Sequence, residues 1–229
     1  MFFPIKDENP TVNKPYVTVG LIVINVLVYL YTMPMSRKAF QIFMYKFGLI
    51  PYELVHVEEL TPQYAVPVFL TPLTSMFLHG GFWHLLGNML FLWIFGNNIE
   101  DFLGPVKFII FYIASGLAAV VLFVVFGPNS QVPLVGASGA IAGVLGAYLI
   151  LYPHARILTV IFLFFIQIVR IPAKFLLGFW FFYQLLMSIM GGGGGVAWLA
   201  HVGGFAFGYI WFRYVAGRRQ RKWRKSLVQ

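Results

Sequence analysis

The sequence predicts an all-α polytopic membrane protein, a bundle of six transmembrane helices. Three observations carry this. The chain of 229 residues is 60% hydrophobic and only 10% charged, where a soluble domain has about a quarter of its residues charged. Its mean hydropathy is +0.82. Apolar runs near the roughly 20 residues needed to cross a bilayer recur along its length. There is no cysteine, which excludes a disulfide framework, a thiolate metal site and a thiol nucleophile. The net charge of +9 invites a nucleic-acid reading, but a lipid-embedded chain gathers Lys and Arg at its inner ends for other reasons. No nucleic-acid partner is expected. The opening residues, MFFPIKDENPTVNKPY, are mixed polar and do not read as a cleavable signal peptide.

Taken in order, residues 1–16 read as a cytoplasmic N-terminal segment, 17–215 as the membrane domain and 216–229 as a basic cytoplasmic tail. The first span is expected over Val17–Met33. A long first loop, 34–83, follows, with scattered charge and several prolines. The second span starts near His84 and ends near Asn98. The third is Lys107–Phe126, the fourth Ser138–Tyr152, the fifth about Pro172–Met190 and the sixth Ala197–Val215. One further apolar run, 157–169, is too short to cross; it is expected to lie at the interface, re-enter the membrane or extend a neighbour. Gly191–Gly195 reads as an outer loop, which a gating role would also suit.

Six spans place both termini on one side. If that side is cytoplasmic, the inner segments hold thirteen of the 16 Lys and Arg residues, and the outer ones hold Arg37, Lys38 and Lys46. This is the positive-inside bias. The tail GRRQRKWRKS anchors that orientation and suits anionic lipid headgroups. A prokaryotic plasma membrane is the expected home, because the parts outside the spans are small.

Polar side chains at membrane depth are costly and usually functional. His84, Asn88, Ser138 and His201 stand in the spans, with His79 just before the second. Spans two, four and six all run inward, so His84, Ser138 and His201 arrive at a similar, shallow outer depth. Small residues at intervals of four, Gly139, Gly143 and Ala147 in span four and Gly204 and Gly208 in span six, let two backbones approach closely in lipid. If those faces meet, Ser138 and His201 come within hydrogen-bond reach. His84 and Asn88, four apart, project from one face of span two.

A serine hydroxyl is a weak nucleophile until a neighbouring base takes its proton, and histidine is the natural base near neutral pH. Glu100 and Asp101, the acids nearest the spans, would lie about 24 Å below His84 at the helical rise, so a dyad is more economical than a triad. Backbone N–H groups at the start of span four suit a developing oxyanion, and His84 and Asn88 offer side-chain donors. No cofactor or metal is implied; there is no HExxH.

With these residues in place, the chain resembles the rhomboid family of intramembrane serine proteases. The likeness runs from about Phe77 to Tyr209. It rests on HGGFWHLLGNM (His79, His84, Asn88), on GASGA (Gly136, Ser138, Gly139) and on AHVGGFAFG (His201, Gly204, Gly208), in family order and spacing. GASGA is not the GxSxG elbow, because Ala140 stands at its last position. The resemblance implies that Ser138 is the nucleophile and His201 its base, a choice that spacing alone leaves open between His84 and His201. It implies that His84, Asn88 and the Ser138 N–H assist the oxyanion. His79 corresponds to a structural histidine holding the first loop, which would be partly membrane-embedded. The aromatic fifth span (Phe175, Phe179, Trp180, Phe181, Phe182, Tyr183) resembles the family's lateral gate and equally reads as a lipid-facing helix. Many members carry a Trp-Arg pair where Leu70 and Thr71 stand here, so the family pattern supplies Glu100 with no partner.

The expected function is an intramembrane serine endopeptidase cutting near the outer face of the bilayer. Its expected partners are membrane lipids and single-span membrane-protein substrates with helix-weakening residues at the cut and a small side chain just before it. The rival readings are a non-catalytic rhomboid-like protein that binds membrane clients and a small transporter using the intramembrane histidines.

Overall fold

The computed structural model describes residues 2–58, 60, 66–162, 165–191 and 196–226, with side chains described from residue 3 to 214 apart from residue 162. The elements run β1 (Phe2–Asp7), α1 (Tyr16–Thr32), α2 (Arg37–Phe47), α3 (Pro51–His56), α4 (Thr71–Thr74), α5 (Phe82–Phe91), α6 (Asn97–Leu103), α7 (Pro105–Phe126), α8 (Ser138–Leu151), β2 (Arg156–Phe162), β3 (Ile166–Pro172), α9 (Ala173–Ile189) and α10 (Trp198–Ser226). Short 3-10 turns flank α4, and a π-helical turn, Leu92–Gly96, joins α5 to α6 without breaking the rod.

The helices fall where the apolar runs predict, within a residue or two at most ends, because hydropathy reports burial and lipid contact alike. The six-span count is another matter. Among the described residues only α7 is long and apolar enough to cross by length and composition; α1, α8 and α9 are apolar but shorter. The all-α expectation is corrected at one place. The 157–169 run is a β-hairpin, β2 and β3, and β1 adds to it in a three-stranded antiparallel sheet of order β1-β2-β3. The reason is in the residue types: Ile157, Thr159, Val160, Ile161, Ile166, Ile168, Val169 and Ile171 are β-branched and favour a pleated surface over a helix. Burial alternates along β2, with Ile157 and Thr159 buried and Leu158 and Val160 half-exposed, the period of a strand packed on one face.

The core is organised around α8. Residues Gly139 to Tyr148 are all buried, because α8 is enclosed by α7 on one side and α10 on the other. A Cβ on Gly204 would collide with the Gly139 carbonyl oxygen, and one on Gly208 with the Gly143 carbonyl oxygen. A Cβ on Gly146 would strike the backbone of Phe205 and Tyr209. On the opposite face a Cβ on Gly139 would stand 2.7 Å from Ala119 Cβ. These glycines hold the α8 and α10 backbones in direct contact, where dispersion over a long interface replaces the absent hydrophobic drive.

Acids gather at the far end of the bundle. Glu100 accepts from the Val17 N–H (2.9 Å), the Thr18 N–H (2.7 Å) and the Thr18 hydroxyl (2.7 Å). It therefore caps the N-terminus of α1, whose first N–H groups have no intrahelical partner. Asp101 accepts from the N–H groups of Val12 and Asn13. Buried Asp7 of β1 accepts from Asn98 Nδ2 at 2.7 Å and the Tyr148 hydroxyl at 2.9 Å, tying the sheet to α6 and α8.

Among its described residues, the 34–83 segment is anchored by backbone hydrogen bonds. Leu49 and Leu134 exchange hydrogen bonds, the Tyr52 N–H donates to the Ser130 carbonyl, and the Gly136 N–H donates to the Ser75 carbonyl. The Thr74 hydroxyl closes the segment on itself through the Phe47 carbonyl at 2.6 Å. The loop thus grips the strand of chain that leads into Ser138.

Candidate active site

Ser138 is the first residue of α8 and His201 lies in the first turn of α10. Because the glycine seam pins these two helices together near their N-termini, their side chains converge. His201 Nε2 and Ser138 Oγ are hydrogen-bonded at 2.8 Å. Both groups are only half-buried and open into a cavity of about 840 Å³ that also touches His84, Asn88 and Trp180. The His201 ring lies against Trp180 of α9, with centroids 5.8 Å apart, and edge-on to Trp198 at 6.4 Å. A hydroxyl, an imidazole and an open space therefore meet at one end of the bundle.

His84 stands near the start of α5, its ring exposed to the cavity. The backbone before Ser138 makes room for it. Gly136 has φ +126°, a conformation that favours glycine. A Cβ there would stand 2.9 Å from His84 Nε2 and 3.6 Å from Ser138 Oγ. Glycine at 136 thus leaves free the space between the imidazole and the hydroxyl. Asn88, one turn after His84, is buried, and its Nδ2 donates to the His84 carbonyl at 2.8 Å; an amide nitrogen has a second N–H to offer. The first-turn N–H groups of α8 have no carbonyl one turn earlier within the helix to accept them. His79 is buried and packs edge-on against the His84 ring at 5.1 Å. Gly139, Gly204 and Gly208 lie in the helix seam.

One polar residue at this site escaped the sequence reading. Gln184 of α9 is buried, and its side-chain oxygen accepts from His201 Nδ1 at 2.8 Å. The signal was present, because Gln184 is an amide inside an aromatic run and falls under the rule that picked out Asn88. Asn25 was passed over in the same way; it is buried in α1, and its Nδ2 donates to the Leu21 carbonyl at 2.7 Å.

The aromatic residues of α9 divide by face. Phe175, Phe179, Phe182 and Tyr183 are exposed outward, whereas Trp180 and Phe181 pack on His201 and Phe205 of α10. Of the five-glycine run only Gly191 is described; the rest, and with it any gating role for the run, lies outside the described residues. No group of three or more His, Asp or Glu side chains that could hold a metal occurs among the described residues.

A family model described as the Rhomboid domain matches residues 68–218. The chain is 33% identical over 159 residues to the mitochondrial Rhomboid protein 1 of Saccharomyces cerevisiae, covering 65% of this chain and 43% of that protein. It is 43% identical over 77 residues to the Rhomboid protease GluP of Bacillus subtilis, covering 34% of this chain and 15% of that protein. It is 30% identical over 165 residues to the mitochondrial RHOMBOID-like protein 12 of Arabidopsis thaliana, covering 65% of this chain and 47% of that protein. The chain thus spans less than half the length of these relatives. They come from a bacterium and from mitochondria, so the comparisons lend no support to a prokaryotic plasma membrane in particular. The domain match takes in Ser138, His201, His84, Asn88 and Gln184, and this chain belongs to the rhomboid family, whose members are integral to the membrane.

Proposed function

We propose that the chain is an intramembrane serine endopeptidase of rhomboid type that acts through a Ser138–His201 dyad. The observation that carries this reading is the 2.8 Å hydrogen bond between His201 Nε2 and Ser138 Oγ in the lining of an open cavity. Ser138 Oγ attacks the scissile carbonyl while His201 Nε2 takes its proton. The imidazolium then returns that proton to the leaving amine. A water entering the cavity hydrolyses the acyl-enzyme with His201 again as base. Negative charge developing on the carbonyl oxygen meets the first-turn N–H groups of α8, His84 and the second N–H of Asn88. The space that Gly136 leaves open beside His84 suits that oxygen.

In this reading the chain crosses the bilayer six times, with the dyad toward the outer face and both termini on the basic, inner side. The sheet and the Glu100 and Asp101 contacts then lie at the inner end. Substrates are single-span membrane proteins whose helices unwind locally, because a helix keeps its carbonyls in hydrogen bonds. The test is cleavage of a single-span reporter, carrying Gly or Pro near its outer end, by the full chain in liposomes. Wild type should cut it once and Ser138→Ala should not. Equal cleavage by both, or none by a folded wild type over a set of such reporters, contradicts the proposal.

A further inference from the structure

We propose that Gln184 is the positioning residue of the dyad: its side-chain oxygen holds the His201 imidazole in the one tautomer that can accept the Ser138 proton. The catalytic consequence rests on the protease reading above; the tautomer itself does not.

A neutral imidazole has one N–H and one bare nitrogen, and the partner of one nitrogen decides which is which. Gln184 Oε1, 2.8 Å from His201 Nδ1, is a carbonyl oxygen and can only accept. Nδ1 therefore carries the hydrogen. Nε2 is left bare, and it faces Ser138 Oγ at 2.8 Å. Reversed, with the hydrogen on Nε2, the ring could not take a proton from Ser138 at all.

The fold holds Gln184 to this task. Its neighbours on α9, Tyr183 and Leu185, face outward at 43% and 37% exposure, while Gln184 is 4% exposed. Trp180, one turn earlier, lies against the same His201 ring. The amide is thus buried in an otherwise apolar helix and needs a hydrogen-bond partner. Serine hydrolases of other folds use a carboxylate for this role. At membrane depth a carboxylate is costly, and a neutral amide supplies the acceptor without a charge. The arrangement is a chain of three, Gln184–His201–Ser138, drawn from three helices.

Two measurements test this. First, kcat and KM for the single-span reporter are compared among the wild type, Gln184→Met and Gln184→Glu in liposomes. Methionine fills the volume without an acceptor, so kcat should fall roughly 10- to 100-fold, within the range that general-base catalysis contributes, with KM little changed. Glutamate keeps the acceptor and should retain most of kcat. If Gln184→Met keeps wild-type kcat, or if a folded Gln184→Glu is as slow as Gln184→Met, the proposal is overturned. Second, the imidazole nitrogens of wild-type protein labelled with 15N-histidine report the tautomer directly, with His201 assigned by its loss in His201→Gln. A protonated Nδ1 and a bare Nε2 are expected; the opposite tautomer overturns the proposal even if the methionine variant does not fold. A wild type that cuts nothing yet shows the expected tautomer refutes the protease reading and leaves the Gln184 assignment standing. A wild type that cuts normally beside an unimpaired Gln184→Met does the reverse.

Discussion

At the scale of single residues, the site is a matter of what each position leaves open or fills. Gly136 is the sharpest case. Its φ of +126° strains any other residue, and a Cβ would stand 2.9 Å from both Cε1 and Nε2 of His84. Gly136→Ala should therefore displace the His84 ring and cut the cleavage rate, while Gly178→Ala, with nothing within 4 Å, should leave the rate unchanged. Equal rates in the two variants would remove His84 from the oxyanion site. Asn88→Ala tests a donor of the same site. Loss of one oxyanion donor costs about 100- to 1,000-fold in kcat, and kcat measured on the single-span reporter should fall toward that range. The positions of Ser138, His201, His84 and Asn88 were legible because polar atoms stand out in an apolar text. Gln184 and Asn25 stood out just as plainly and were missed. Polarity says that a group needs a partner; it does not say which, and Gln184 finds its partner on another helix.

At the scale of elements, the seam between α8 and α10 sets the distance between Ser138 and His201. Gly204→Ala and Gly208→Ala each put a methyl group into the facing backbone carbonyl of α8. Overpacking of this kind costs about 1–3 kcal/mol. Both variants should unfold at lower temperature in detergent and react more slowly, because the helices that carry Ser138 and His201 are pushed apart. Gly20→Ala in α1, where no atom lies within 4 Å, is the control and should not lose stability. The spacing of these glycines announced that the two faces would meet. The sheet was not announced, because hydropathy cannot distinguish a short apolar strand pair from an interfacial helix. The β-branched content of 157–171 carries that information. The capping of α1 by Glu100 was equally hidden, since its partners are mostly backbone N–H groups 82 and 83 positions away. Glu100→Ala should leave those buried donors unmatched and destabilise the fold by about 1–3 kcal/mol, read as a drop in the midpoint of thermal unfolding.

At the scale of the whole molecule, β1 closes the chain on itself through Asp7, which joins the first element to α6 and α8. Burial pushes the Asp7 carboxyl above its ordinary value of 3.8, against the lowering pull of hydrogen bonds from Tyr148 and Asn98. The folded state thus binds the Asp7 proton more tightly than the unfolded chain does. Its contribution to stability is present in full below the ordinary carboxylate value and is lost as pH rises through the raised one. Asp7→Asn should consequently be at least as stable as wild type at neutral pH and should show a flatter change in unfolding midpoint from about pH 4 to pH 7. A variant less stable at pH 7 with an unchanged slope would contradict this. The proposed protease activity depends on one oxygen, Ser138 Oγ. The most direct measurement is exposure of the purified full chain to a serine-reactive fluorophosphonate, with the modified residue located by peptide mass. A single adduct on Ser138, absent from Ser138→Ala and greatly slowed in His201→Ala, is the predicted result. A well-folded wild type that takes no label, or labelling that persists undiminished in Ser138→Ala, would contradict it.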